Sequence, residues 1–249
     1  SYTVQYSLND AAPAGHPAVN PNTVTSYTVL DSNVTLAPAT RTGYDFEGWY
    51  DNAAFSGSPI TGFSASDAAN KHYYAKWSAA KSYTVNWHLN DSTPAGHPAT
   101  NPNTVASYTV LDSDVTIQPA TRTGFSFLGW YDNPGFTGTP VTTLRTMDAA
   151  NKNYYAKWDA TPISYPINYV LNDGSPAGHA ASNPVANLTS YTVLTNSGGN
   201  ISLLPALRNG YTFLGWYDNA SFTGSPISAF PASDAVAKTF YAKWSSANS

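Results

Sequence analysis

Phe46-Glu47-Gly48-Trp49-Tyr50-Asp51-Asn52 decides how this chain is read, because it occurs three times. It returns as Phe127-Leu128-Gly129-Trp130-Tyr131-Asp132-Asn133 and as Phe213-Leu214-Gly215-Trp216-Tyr217-Asp218-Asn219. Each occurrence is followed by a second aromatic signature: Tyr74-Ala75-Lys76-Trp77, then Tyr155–Trp158, then Tyr241–Trp244. The spacing is 81 residues from Trp49 to Trp130 and 86 from Trp130 to Trp216. Solenoid units run roughly 20–50 residues, so this period points to small domains in tandem. The divisions read from the sequence are residues 1–78, 82–159 and 164–245.

Domains of this size bury only about 60% of their unfolded surface. The chain has no cysteine, so disulfides cannot supply the shortfall. It has 7 Trp, 18 Tyr and 10 Phe instead, and each aromatic side chain can bury roughly 150–250 Å². Charged residues are 10% of the total and the net charge is −4, which argues against nucleic acid as a partner. No apolar run approaches the ~18 residues needed to span a membrane. The chain begins and ends at repeat edges without a signal peptide, as a piece of a longer protein would.

Within one copy, Tyr2–Leu8 alternates apolar and polar residues, the pattern of a half-buried strand. Further strands are expected at Ser26–Leu30, Val34–Leu36, Tyr44–Tyr50 and His72–Trp77, with a short helical turn at Asp67–Asn70. In the closing strand Tyr73, Ala75 and Trp77 share one face, and Tyr74 and Lys76 the other. Gly48 interrupts its strand and calls for a bulge or a close neighbour, expected to be an aromatic ring. The linkers Ser78–Lys81 and Asp159–Ser164 are short, so neighbouring copies should be held semi-rigidly.

Several recurring residues are of types that can form sites. His16, His97 and His179 recur in Pro-Ala-Gly-His, but one histidine per copy does not make a metal site. A loop imidazole bonded to the backbone is the simpler reading. Asp51-Asn52 and its echoes lack the dense carboxylates calcium needs and read as turn caps. Lys76, Lys157 and Lys243 beside Trp read as exposed lysines with stems over a ring, not as crosslinks. Arg41, Arg122 and Arg208 read as partners of an Asp or of loop carbonyls. No catalytic or cofactor-binding residue is expected.

Phe46-Glu47-Gly48-Trp49-Tyr50 followed by Tyr74-Ala75-Lys76-Trp77 resembles the Listeria–Bacteroides repeat, also called the internalin B-type B repeat. The family pattern is Gly-Tyr-x-Phe-x-Gly-Trp-Tyr, a Gly-containing loop, then Tyr-Ala-Lys-Trp. Copies one and three match it, and copy two has Phe125 in place of the usual Tyr. The family often continues its entering strand with Gly-Gly, where this chain has Asp10-Ala11, Asp91-Ser92 and Asp173-Gly174. The resemblance implies a mainly β (α+β at most), β-grasp, ubiquitin-like fold in tandem on bacterial surface or secreted proteins. It implies parallel first and last strands, with the chain ends leaving at opposite edges. It implies no catalysis and no cofactor.

The aromatic signatures invite two readings. As core and closing strand, the residues are Phe46, Gly48, Trp49, Tyr74 and Trp77; Phe127, Gly129, Trp130, Tyr155 and Trp158; and Phe213, Gly215, Trp216, Tyr241 and Trp244. As a sugar platform, the ligand candidates are Tyr50, Tyr131 and Tyr217. Small domains without disulfides need large aromatics inside, so the core reading is preferred. The function expected is a non-enzymatic stalk or spacer, extracellular, flanked by other domains. The alternative is a carbohydrate- or host-receptor-binding module acting by avidity. Contact would then fall to the loops Ala53–Ser58, Pro134–Thr139 and Thr195–Asn200.

Overall fold

Alternation in the sequence becomes the two central strands of a sheet. In the computed structural model, which describes residues 1–247, β1 (Tyr2–Ser7) buries Val4 and exposes Thr3 and Gln5. The remaining strands of the first copy are β2 (Ala18–Val19), β3 (Ser26–Tyr27), β4 (Val34–Thr35), β5 (Thr40–Arg41), β6 (Phe46–Tyr50), β7 (Gly62–Phe63) and β8 (Lys71–Trp77). Four form a sheet in the order β3-β1-β8-β6, while β2–β5 and β4–β7 form two-stranded ribbons. β1 and β8 pair in parallel, Val4 with Lys71 through Ser7 with Tyr74. They lie at the centre of the sheet, so the chain enters and leaves at opposite ends of the strands and not at opposite sheet edges.

β3 is shorter than the alternation of Ser26–Leu30 suggests. The Asp31 carboxylate accepts from the Thr28 amide at 2.6 Å and from its hydroxyl at 3.1 Å, which folds the chain into a turn. The helical turn covers Ala65–Asp67, beginning two residues before the expected segment Asp67–Asn70, because Ser64 caps it and Ala68 ends it in the left-handed region at φ 49°. Among the described residues helix is limited to such 3₁₀ turns, and the fold is mainly β.

The core follows from the pairing of β6 with β8. Trp49 stands opposite Ala75, and the two are 1% and 0% exposed. The same large-on-small pairs recur as Trp130 with Ala156 and Trp216 with Ala242. Alanine in Tyr-Ala-Lys-Trp is thus the space that the tryptophan fills. The Trp49 indole also donates to the Ala37 carbonyl at 2.9 Å, and Trp77 to that of Leu8 at 2.7 Å, so both rings bury without an orphaned N–H.

Gly48 sits at a bulge with φ 130°. The group over it is the ring of Pro59, which a Cβ would meet at 2.6 Å; Pro140 and Pro226 do the same over Gly129 and Gly215. A proline, and not the expected aromatic ring, fills the gap because the Phe55–Pro59 connection crosses there.

The third copy has the same sheet order and changes one pair of positions together. In the first two copies Asn70 and Asn151 accept from the amides of Thr3 and Thr84, each at 2.9 Å. The third copy has Pro166, which has no N–H, and at the position of the asparagine it has Ala237. Loss of the donor and loss of the acceptor leave nothing unpaired.

The chain packs as two compact units: residues 1–87 with 103–118 and 141–154, and residues 88–102 with 119–140 and the chain from Tyr155 on. The division runs through the second copy. In the first unit, Tyr83 and Thr84 pair with Tyr108 and Ser107. In the second, Phe127–Tyr131 pairs with Tyr155–Trp158.

Candidate functional site

The loop after β1 is fastened by a buried arginine. Arg41 leaves the short strand β5 and is 6% exposed. Its Nε donates to the His16 carbonyl at 2.8 Å, and one terminal nitrogen faces the carbonyls of Asp10, Ala12 and Pro13 at 3.2–3.3 Å. The guanidinium lies 4.2 Å from the centre of the Tyr44 ring. Arg122 repeats this with the carbonyls of His97, Asp91 and Pro94 over Phe125, and Arg208 with those of His179, Asp173 and Ser175 over Tyr211. Among the described residues none of the three makes a salt bridge. These arginines cap carbonyls.

The recurring histidine belongs to the same loop but plays a different part from the one expected. His16 supplies its carbonyl to Arg41, while its ring is 7% exposed and packs edge-on against Tyr44 at 6.1 Å. Its Nδ1 is buried without a hydrogen-bond partner, so the imidazole is used as a packing group rather than as a backbone donor. Among the described residues no cluster of three or more His, Cys, Asp or Glu is placed to hold a metal.

Beside the arginine lies an open recess. In the first copy it has a volume of about 340 Å³ and is lined by Asn9, Pro13, Arg41, Tyr44, Phe55, Lys76 and Trp77, among others. In the second it measures about 400 Å³, with Asn90, Pro94, Arg122, Phe125, Phe136, Lys157 and Trp158 at equivalent places. Phe55, Phe136 and Phe222 all sit at φ 52–54°, a left-handed backbone that an aromatic residue rarely adopts. Asn52 holds that bend: its side chain accepts from the Ser56 amide and donates to the Ser56 carbonyl, both at 3.0 Å. Thus the asparagine of Asp51-Asn52 is the turn cap.

The lysine at the rim differs between copies. Lys76 pairs with Glu47 at 3.1 Å, and that carboxylate holds its ammonium above the usual lysine range. Copies two and three have Leu128 and Leu214 in place of Glu47. Lys157 and Lys243 lie over the rings of Tyr131 and Tyr217 at 5.2 Å, and over Phe136 and Phe222 at 5.7 Å.

Of the signature residues, Trp49, Trp130 and Trp216 are in the interior at 1–2% exposure. Phe46 and Trp77 pack half-buried on that core, as do Phe213 and Trp244 on theirs. Phe127 and Trp158 face each other across their strand pair. Tyr74, Tyr155 and Tyr241 are half-buried. Tyr74 lies on the other face of β8 from Tyr73 and Ala75, and stacks on His72 at 4.3 Å. The alternation of the strand puts it there. Tyr50, Tyr131 and Tyr217 are 6–7% exposed, each covered edge-on by the bent phenylalanine of its copy at 5.6 Å. They present no open ring face.

A second recurring feature joins one copy to the next. The Lys81 amide of the first linker donates to the Gly43 carbonyl at 2.8 Å, and Ile163 of the second linker does the same to Gly124 at 2.8 Å. Val110 fills the notch over Gly43, and Val193 the notch over Gly124; these valines are 3% and 0% exposed. Their counterpart Val29 is 52% exposed, and nothing lies within 4 Å of a Cβ placed on Gly210.

The sequence model of the Listeria–Bacteroides repeat domain matches residues 2–76, 77–157 and 165–243. The chain belongs to the Listeria–Bacteroides repeat family. Two relatives, both from Evansella cellulosilytica, carry such sequence within much longer chains. One, named "Putative Gly-rich membrane protein", is 28% identical over 198 residues, which is 74% of this chain and 20% of the relative. The other, named "Putative membrane protein", is 28% identical over 218 residues, 85% of this chain and 29% of the relative. The chain therefore spans less than a third of either. No solved structure matches it. Among the described residues, no helix of this repeat chain is long and apolar enough to cross a membrane.

Proposed function

We propose that these repeats form a non-enzymatic spacer of a bacterial surface or secreted protein, giving reach to whatever the longer chain carries. The observation that carries this reading is the joint. A linker amide binds the preceding copy, and a valine of the following copy is buried in its glycine notch. Full burial of a valine contributes about 1.5–3 kcal/mol, enough to hold a covalently tethered neighbour in one orientation.

The strand order supports a load-bearing role. In the first copy a pull on the two chain ends shears the parallel β1–β8 ladder, so its hydrogen bonds are stressed together and not one at a time. The third copy repeats this between Tyr165–Val170 and Lys238–Trp244. A seven-residue strand such as β8 adds about 23 Å at ~3.3 Å per residue. Single-molecule pulling from the two ends tests the reading. Discrete, high-force unfolding steps support it, and unfolding as easy as that of a helical bundle contradicts it.

A further inference from the structure

We propose that the recess beside the buried arginine binds a carboxylate-bearing sugar ring in the second copy, and that the matching set of side chains in the third copy does the same. This goes beyond the spacer reading and does not depend on it.

Three features of the second copy point to such a ligand. The recess, at about 400 Å³, is at the small end of ligand clefts, sized for a single ring. Its walls combine the aromatic rings of Phe136 and Trp158 with the polar groups of Asn90, Thr93 and Asp159, as a pyranose with one apolar face and several hydroxyls requires. Phe136 reaches that wall only through a left-handed backbone at φ 52°, and the same strain is kept at Phe222. The Asn133 side chain, bonded to the Thr137 amide and carbonyl, holds the bend at Phe136 and so keeps the ring in the wall.

The charge decides the ligand class. Arg122 faces the recess, but its bonded nitrogens serve loop carbonyls. Lys157 makes no salt bridge among the described residues, and its ammonium sits over Tyr131 and Phe136. The Asp159 carboxylate in the same wall offsets one of the two cations, Arg122 and Lys157, and the single positive charge left over suits a monoanion. A phosphate would call for a free arginine fork or a nest of backbone amides. The third copy reproduces the lysine, the bent phenylalanine and the arginine over its ring. The first copy is a built-in negative control, because Glu47 already occupies Lys76.

The test is an amide NMR titration of the full chain with a glucuronate-terminated disaccharide, its neutral glucose counterpart and a glucose phosphate. Saturable shifts are expected around Phe136–Lys157 and Phe222–Lys243 with glucuronate, and not around Phe55–Lys76. Lys157→Gln should weaken binding at the second copy about tenfold, the loss of one charge-assisted hydrogen bond. Leu128→Glu should abolish it there, and Glu47→Leu should create it in the first copy. Both changes are at exposed positions and leave the core alone. The absence of saturable shifts overturns the proposal. So does equal binding of the neutral sugar, preference for the phosphate, or a first copy that binds as well as the others.

Discussion

Val110 occupies the space that Gly43 leaves open: a Cβ on Gly43 would lie 2.4 Å from a Val110 methyl. Gly124 and Val193 repeat the relationship with the same 2.4 Å approach. The glycine is needed twice over, for its φ of 81° and for the absent side chain. The equivalent valine of the first copy, Val29, is 52% exposed.

The two demands on the glycine can be separated. Gly210 has φ 77° but open space around it. Gly210→Ala should therefore cost only the backbone strain, about 1–2 kcal/mol. Gly124→Ala should cost that and about 1–3 kcal/mol more from overpacking against Val193. Urea unfolding of the two variants measures the difference.

The valine makes the complementary case. Val193→Ala should destabilise by about 1–3 kcal/mol, since it empties a filled notch at a residue 0% exposed. Val29→Ala, at a half-exposed position, should fall within about 0.5 kcal/mol of the parent. Equal effects in thermal unfolding would mean that the notch contributes nothing.

Removing the guanidinium of Arg41 should be costly. Arg41→Met leaves a set of loop carbonyls in a site 6% exposed, and a loss of about 3 kcal/mol or more is expected. Arg41→Lys should recover only part of it, because an ammonium cannot serve His16 and Pro13 carbonyls from one planar fork. Chemical denaturation with hydrogen exchange across residues 10–18 checks both size and place.

Alkaline conditions should weaken the third copy through Tyr169. Burial raises its pKa to about 12, above the ordinary tyrosine value near 10. Below pH 10 both folded and unfolded chains keep the proton, and the contribution is complete. Between about pH 10 and 12 only the unfolded chain loses it, so stability falls as pH rises. Burial also raises Tyr6, while the second copy has Trp87 at this place and is spared. Tyr169→Phe should flatten the decline in stability of the third copy over that range; an unchanged slope would remove Tyr169 from the account.

Much of this was readable before the structure, and the residues show why. Strict alternation in Tyr2–Leu8 and His72–Trp77 marks strands whose faces are fixed by period two, so the placement of Val4, Tyr73 and Ala75 was legible. The triplication exposed Gly48, Trp49 and Lys76 as recurring needs. The partners of those needs were not legible. Pro59 over Gly48 and Val110 over Gly43 are contacts between segments far apart in sequence, set by loop paths that no local pattern encodes. The recess was missed for the same reason: its lysine, bent phenylalanine and arginine come from three separate segments. One signal was available, since Glu47 changes to Leu128 and Leu214 while Lys76 recurs unchanged as Lys157 and Lys243.

The central claim is that each copy is fixed to the next, and backbone ¹⁵N relaxation through Ser78–Ser82 and Asp159–Ser164 tests it most directly. The account predicts order parameters near 0.85 at Lys81 and Ile163, like those of the strands on either side. Values below about 0.6 at those two residues, with the strands still rigid, would show freely hinged copies and contradict it.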